Sequence, residues 1–310
     1  MALILSLPPQ YPLKTLQTYT LRNLDTNAHW PSEAIFRGEK HLHAAGRIQI
    51  DVYRGQLNLS DGRSLDVVCK IGFGKKATDR VAHEASLYNG KLSHLQGVYI
   101  PICHGYFVGD ADGESMGCLL VAYCGEPIIE MFMRLPPIFK TGLVSALVAI
   151  HDAGVEHRDL AHRNILNCKG LPVIIDFDDA VDHACGRHIS IVEGAPAPSL
   201  SCELGCVELY QFFLDLRVWT PAYIMYTGCF QPIRLAFDAH ALAKTAPSHW
   251  SHEEALQEAY RVITAHVKEY YPAQYEAWKA KLSDKLKSKR KAPQSTSETT
   301  SPSDSPEPRL

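Results

Sequence analysis

Hydrophobic and polar positions alternate from Arg47 to Leu57, where Ile48, Ile50 and Val52 stand against polar neighbours. Ser60-Asp61-Gly62 then supplies a turn, and the apolar run Leu65 to Phe73 follows, so the pattern predicts a β-hairpin. After that the period lengthens. Val81, Ala85, Tyr88, Leu92 and Leu95 recur at steps of four and three, which places them on one face of a helix of about 18 residues, with Glu84 flanking that face. Two more apolar segments, Tyr99 to Val108 and Cys118 to Tyr123, flank the turn-like Asp110-Ala111-Asp112-Gly113 and predict a second antiparallel pair. Cys124-Gly125-Glu126-Pro127 breaks the pattern.

Leu143, Leu147 and Ile150 share a face of a helix starting near Pro137, which Asp152-Ala153-Gly154 ends just before the polar segment Glu156 to Asn164. Short strands are expected at Asn164 to Asn167 and Pro172 to Phe177. From Ser201 to Lys281 the pattern is helix-rich, most clearly at Glu253 to Tyr270. Residues 1–40, with several prolines, read as an irregular lead-in holding at most a short helix. Beyond Lys281 the composition changes. Lys285 to Lys291 carries five basic residues, and Pro293 to Leu310 is almost entirely Ser, Thr, Pro and acid. Such a segment buries too little apolar area to offset its ordering entropy, so 282–310 is expected to be a disordered tail.

Composition narrows the function classes. With 310 residues and 46% hydrophobic content, the chain has room for a large core. A balance of 31 basic against 34 acidic residues, net -3, gives no electrostatic case for nucleic acid or a membrane surface. Met1 to Leu7 is apolar but lacks a basic flank and runs into Pro8-Pro9, and no later stretch has the roughly 18 apolar residues of a membrane span. Nine cysteines without a spacing framework fit free thiols in a reducing compartment, hence an intracellular, cytoplasmic location. The basic run leaves nuclear targeting open.

The candidate chemistry lies in the middle of the chain. His157-Arg158-Asp159 is followed five residues later by Asn164, and an apolar strand then runs into Asp176-Phe177. Upstream, Lys70 ends the strand segment Val67-Val68-Cys69-Lys70, and Glu84 lies on the next helix. Phosphoryl transfer needs a carboxylate near the attacking hydroxyl and oxygen ligands for the metal ions that bridge the phosphates, and Asp159, Asn164 and Asp176 are residues of those types. In order and spacing these motifs resemble the protein-kinase superfamily over roughly residues 40–235. With Leu95-Gln96-Gly97 before Pro101 and Ile174-Ile175-Asp176-Phe177-Asp178-Asp179-Ala180, the narrower form looks like fungal protein-kinase-like and aminoglycoside-phosphotransferase-like proteins.

The resemblance implies a two-lobed, α+β protein-kinase-like fold. A small antiparallel-sheet lobe with one helix (41–124) would precede a larger, mostly helical lobe (125–281), with ATP and Mg2+ held between them. It further implies that Asp159 orients the substrate hydroxyl, Asn164 and Asp176 hold magnesium, and Lys70, paired with Glu84, contacts the nucleotide phosphates. Tyr123 and Cys124 fall where the superfamily offers backbone groups to adenine. The implied activity is transfer of the γ-phosphoryl group of ATP to a hydroxyl of a protein or small molecule.

Three departures bear on that expectation. The three glycine positions of the phosphate loop hold Ala45, Arg47 and Ile50, with Gly46 out of register. Asp178 stands where protein kinases carry glycine, as in small-molecule kinases of the superfamily. Between Ala180 and Cys206 only Ala195-Pro196 and Ala197-Pro198 approach an Ala-Pro-Glu motif. These departures keep open the alternative of a pseudokinase acting as a nucleotide-binding or scaffold module. Arg158 is left outside the catalytic set, since a structural hydrogen-bonding role suits it equally. His183, Cys185, His188, Cys202 and Cys206 could supply zinc ligands, but His-x-Cys-x-x-His and Cys-x-x-x-Cys are not specific spacings, and ordinary loop and core residues are the favoured reading.

Overall fold

Leu3, Leu5 and Leu7 alternate with Ala2, Ile4 and Ser6 along the first strand, and all three leucines are buried. That period-2 pattern marks one face turned to a core. The computed structural model of the chain describes residues 2–8, 17–24, 33–45 and 50–280. Its first strands are β1 (Ala2–Leu7), β2 (Gln17–Asn23), β3 (Glu33–Ala45), β4 (Ile50–Leu59) and β5 (Ser64–Phe73). Helix α1 (Gly74–Asn89) follows, then β6 (Cys103–Ala111) and β7 (Glu114–Ala122). The seven strands close into a barrel in the order β1-β2-β6-β7-β5-β4-β3, sealed by parallel pairing of β1 with β3. Phe36, Tyr53, Val67, Cys69, Ile71 and Phe107 fill its interior together with the β1 leucines.

This arrangement corrects the expected fold. The chain is α+β, but the two-lobed protein-kinase-like architecture does not hold. The N-terminal sheet is a closed seven-stranded barrel, and the part after residue 124 carries seven short strands beside its helices among the described residues, so it is not a mostly helical lobe. The irregular lead-in expected over 1–40 supplies β1, β2 and the start of β3. The reason is physical: besides its antiparallel pairing with β2, β1 pairs in parallel with β3, and β2 pairs with the distant β6, and no local turn announces either of these last two pairings.

Local predictions fared better where a turn and its strands are adjacent. The β4–β5 hairpin turns at Gly62, which adopts φ +89°, and β6–β7 turns through Asp112 and Gly113, both at positive φ. Helix α1 ends at Asn89, earlier than its apolar period suggests. Leu92 and Leu95 are buried, but through a turn and a short 3-10 segment.

The structure divides into two compact units, Met1–Trp219 and Thr220–Leu310. After the barrel, the first unit continues with β8 (Glu126–Pro127), α2 (Pro137–Asp152), β9 (Val155–Glu156), β10 (Ile165–Cys168), β11 (Leu171–Ile174) and β12 (Val181–Asp182). Helices α3 (Ser201–Leu204) and α4 (Val207–Asp215) complete it. In the second unit, the hairpin β13 (Tyr223–Tyr226) and β14 (Cys229–Pro232) precedes α5 (Ala239–Ala243), α6 (His252–Tyr270) and α7 (272–280). Ser251 and Glu254 form a capping box at the start of α6, which buries Ala255, Ala259 and Ile263 against β13 and α5. No helix among the described residues is long and apolar enough to cross a membrane. Gly46 and Arg47 of the expected phosphate loop, and the whole of the tail expected over 282–310, lie outside the described residues.

Candidate active site

Alternation along β5 puts Val67, Cys69 and Ile71 inside the barrel and Val68 and Lys70 on its outer face. Lys70 therefore leaves the sheet toward α1, and its ammonium meets Glu84 Oε2 at 2.7 Å. The same nitrogen donates to Asp176 Oδ1 at 2.5 Å and to Asp178 Oδ2 at 3.1 Å. Residues separated by 106 positions in sequence thus converge on one atom.

A hairpin explains how Asp176 arrives there with Asn164. Strands β10 and β11 join through Lys169 and Gly170, both at positive φ, as a two-residue turn of this hand requires. Asn167 Oδ1 steadies the turn by accepting from Gly170 N at 2.8 Å. Pairing of Ile165 with Ile174 sets the register, and at the open end Ile175 N donates to Asn164 O at 3.0 Å. Asn164 and Asp176 leave the two strands at that same end. The hairpin is the local device that brings the two oxygen donors together.

Helix α1 holds the segment after β11 at three points on one face. Arg80 bonds Asp178 Oδ1 at 2.8 Å and Asp179 Oδ1 at 2.7 Å, His83 Nε2 lies 2.7 Å from Ala180 O, and Glu84 Oε1 accepts from Phe177 N at 3.1 Å. Positions 80, 83 and 84 are neighbours on a helix surface. Phe177 is fully buried between Tyr88 and His157, whose ring centroids lie 5.7 and 4.9 Å from its own. Asp176 itself takes φ +69°, a conformation costing about 1 kcal/mol or more in a non-glycine residue, so the surrounding bonds hold it against strain.

The electrostatics follow from burial. Burial opposes charge on Lys70, but Glu84, Asp176 and Asp178 override it and hold the ammonium above its ordinary range. Burial dominates at Glu84 and raises its carboxyl despite the lysine. Asp178 goes the other way: burial opposes its charge, yet Lys70 and Arg80 lower its pKa. Two cations thus face four carboxylates, Glu84, Asp176, Asp178 and Asp179, and the surplus is negative.

Asp159 lies on the loop after β9. Its carboxylate accepts from Asn164 Nδ2 at 2.8 Å and from Arg163 at 2.7 and 2.6 Å. The loop backbone is anchored by Glu208 on α4, which accepts from His157 N at 3.0 Å and from Arg158 N, while Arg158 sits at φ +68°. His157 Nε2 also lies 2.9 Å from Ile175 O, tying the loop to the hairpin.

Above this polar end opens a cleft of about 460 Å³. Val52, Val68, Leu119, Leu166 and Ile175 form apolar walls, and Lys70, Asn164 and Asp176 lie at the polar end. Tyr123 and Cys124 also line it. Tyr123 N donates to Asp66 O at 3.1 Å, and the Arg54 guanidinium lies 3.5 Å from its ring centroid. That backbone N–H is therefore committed to the sheet rather than offered to a ligand. No protein-family model matches the chain, and comparison with curated proteins finds no match.

All the residues singled out from sequence, Lys70, Glu84, Tyr123, Cys124, Asp159, Asn164 and Asp176, lie at or beside this cleft. Sequence reasoning missed Arg80, His83 and Glu208. Arg80 and His83 had a usable signal, since each shares a helical face with Glu84, but Glu208 lies 50 residues beyond Arg158 on a helix with no local motif. Of the five residues considered for zinc, the structure gathers His183, Cys185 and Cys206 and adds His151, whereas His188 and Cys202 are not members of the cluster. All nine cysteines are free of disulfides.

Proposed function

We propose that the chain is an ATP-dependent phosphotransferase moving the γ-phosphoryl group to a hydroxyl of a protein or small molecule. The observation that carries this reading is the meeting of Lys70 with Glu84 and Asp176 at the polar end of an apolar-walled cleft, with Asp159 hydrogen-bonded to Asn164 beside it. The cleft suits the ligands: apolar walls suit the faces of a purine, and a surplus of carboxylates beside an amide suits a hard divalent cation, which prefers oxygen donors.

In this reading Asn164 spends its amide nitrogen on Asp159, so its Oδ1, with the Asp176 carboxylate, serves the metal. Bound Mg2+ supplies charge neutralisation on the phosphates. Lys70 is anchored by Glu84 and presents a fixed positive charge to the phosphates. Asp159 orients the acceptor hydroxyl and takes its proton, a contribution typically worth roughly 100- to 10,000-fold in rate. Its position is set by Glu208 through the two loop N–H groups. An intracellular, cytoplasmic location with no nucleic-acid or membrane partner accompanies this proposal, supported by the free cysteines and the balanced charge.

One observation favours a second reading, a pseudokinase that binds nucleotide without turnover. Arg163 covers both oxygens of the Asp159 carboxylate and occupies the position an acceptor hydroxyl needs. Arg163 is 66% exposed, so the clamp opens at little cost in the catalytic reading.

Thermal unfolding with and without ATP and magnesium, run beside ATP turnover on wild type and Asp176→Ala, tests the proposal. A magnesium-dependent rise in Tm of about 3 °C, lost in the variant together with turnover, is expected for ligand at several times its Kd. No rise at millimolar ATP in a well-folded sample sinks nucleotide binding. A rise without turnover against a panel of protein and small-molecule hydroxyl acceptors selects the second reading.

A further inference from the structure

Behind the Asp159 loop, four side chains known as soft and borderline metal ligands gather from three separate parts of the chain. His151 lies in the last turn of α2, His183 and Cys185 follow β12, and Cys206 immediately precedes α4. Their ligand atoms all lie within 4.8 Å of one another. Cys206 Sγ is 3.5 Å from His151 Nδ1 and 3.8 Å from His183 Nε2. Tetrahedral zinc, with Zn–S of about 2.3 Å and Zn–N of about 2.0–2.1 Å, sets its nitrogen–sulfur edges at roughly 3.5 Å. The observed separations already approach that figure. The His151 and His183 rings stand at 82° to one another, so their nitrogens approach the common centre from different directions.

We propose that His151, His183, Cys185 and Cys206 form a structural zinc site that braces the Asp159 loop through Glu208. Two thiols and two imidazoles are the donor set that zinc selects over magnesium or calcium. Four protein ligands close the tetrahedron and leave no open position, so the site is structural rather than catalytic. Binding displaces the two thiol protons of Cys185 and Cys206 to solvent as two Zn–S bonds form.

The outer partners match this assignment. His151 turns Nδ1 toward Cys206, and its other nitrogen, Nε2, lies 2.7 Å from Glu208 Oε2. A ligating histidine is typically oriented by such a carboxylate. The same carboxylate holds His157 N and Arg158 N, so the metal, His151, Glu208 and the Asp159 loop form one continuous chain of contacts. The backbone around the cysteines is equally constrained. Gly205 takes φ +86°, and a Cβ there meets Gly186 O at 2.1 Å. A Cβ on Gly186 meets Gly205 O at 2.8 Å in turn. These two glycines let the loop bearing Cys185 lie directly on the turn bearing Cys206. Arg187 bonds Asp152 Oδ1 at 2.9 Å and Lys91 bonds Asp182 Oδ1 at 2.8 Å, pinning the same loop on either side of its ligands.

The test is metal analysis of the full chain, produced in zinc-supplemented medium and purified without chelator. About one zinc per chain is expected, falling below about a tenth in Cys185→Ser and His183→Ala and unchanged in Cys202→Ser, whose thiol is outside the cluster. Loss of zinc from Cys202→Ser, or retention by the two cluster variants, places the ion elsewhere and overturns the proposal. Because a cluster variant can fail to fold, the wild type is also stripped with a chelator and titrated with Co2+. Intense visible bands of tetrahedral cobalt, with thiolate charge transfer, support the site. A weak octahedral spectrum, or no change in spectrum or Tm on adding either metal, overturns it.

Discussion

The cleft and the histidine–cysteine cluster occupy the same unit, flank the same loop and solve the problem of buried polarity in opposite ways. In the cleft, charge is present and in surplus: two cations face four carboxylates, and burial raises Glu84 even beside Lys70. Such a region is held together by opposite charges and is costly to leave half-paired. In the cluster the ligands are thiols and imidazoles, joined by sulfur contacts of 3.5 and 3.8 Å. One region is organised by its own salt bridges. The other is completed by a cation from outside. Glu208 touches both the cluster and the Asp159 loop, so it is the element through which the proposed zinc site would act on the cleft.

Four substitutions break or sharpen that comparison, in falling order of effect. Asp159→Asn is expected to cut phosphoryl transfer by roughly 100- to 10,000-fold while the ATP-dependent rise in Tm persists, because it touches chemistry and leaves the Lys70 pairings in place. Turnover assays beside thermal shift check both halves. Gly205→Ala is expected to cost about 3 kcal/mol in urea unfolding and to lower zinc content, since both its positive φ and the approach of Gly186 O oppose a side chain.

Glu208→Gln carries a pH signature. Burial opposes charge on Glu208, but His151 and the two loop N–H groups lower its pKa below the ordinary 4.5. A depressed carboxyl contributes stability that is complete above that ordinary value and is lost as pH falls through the lower folded one. The variant is therefore expected to be about 2 kcal/mol less stable at pH 7 and to lose less stability than wild type on acidification below about pH 4.5. Denaturant unfolding at a series of pH values reads the difference, and parallel curves contradict it. Arg163→Ala is expected to change stability by less than about 0.5 kcal/mol, since the pair is solvent-exposed. A large gain of turnover in this variant marks the arginine as the blocking element of the second reading.

Legibility followed the range of the interaction. Lys70, Asp159, Asn164 and Asp176 could be singled out from sequence because each sits in a short segment, and Glu84 because it flanks the apolar face of the next helix; the hairpin uniting Asn164 with Asp176 turns locally at Lys169-Gly170. The barrel was illegible because its closure depends on β1 meeting β3 in parallel and β2 meeting β6 across some eighty residues, pairings with no turn signature. The cluster was half-legible. His183, Cys185 and Cys206 stood out as residue types, but His151 lies in the last turn of an amphipathic helix and looks like any core position there. Its partner Glu208 offers only an acidic residue in a first helical turn, which the helix dipole accounts for equally well.

The parallel seam between β1 and β3 also bears on how the chain reaches its native state. A closed barrel presents no free strand edge, so its backbone offers nothing for another chain to pair with. Until β1 docks, β2 and β3 each expose such an edge, and the pairing of Arg22 with Val108 must await the synthesis of β6. A nascent chain stalled before that point, or one deprived of β1, is a template for self-association. The demand falls on folding speed, because long-range strand pairing is slow and the exposed edges persist for as long as it takes.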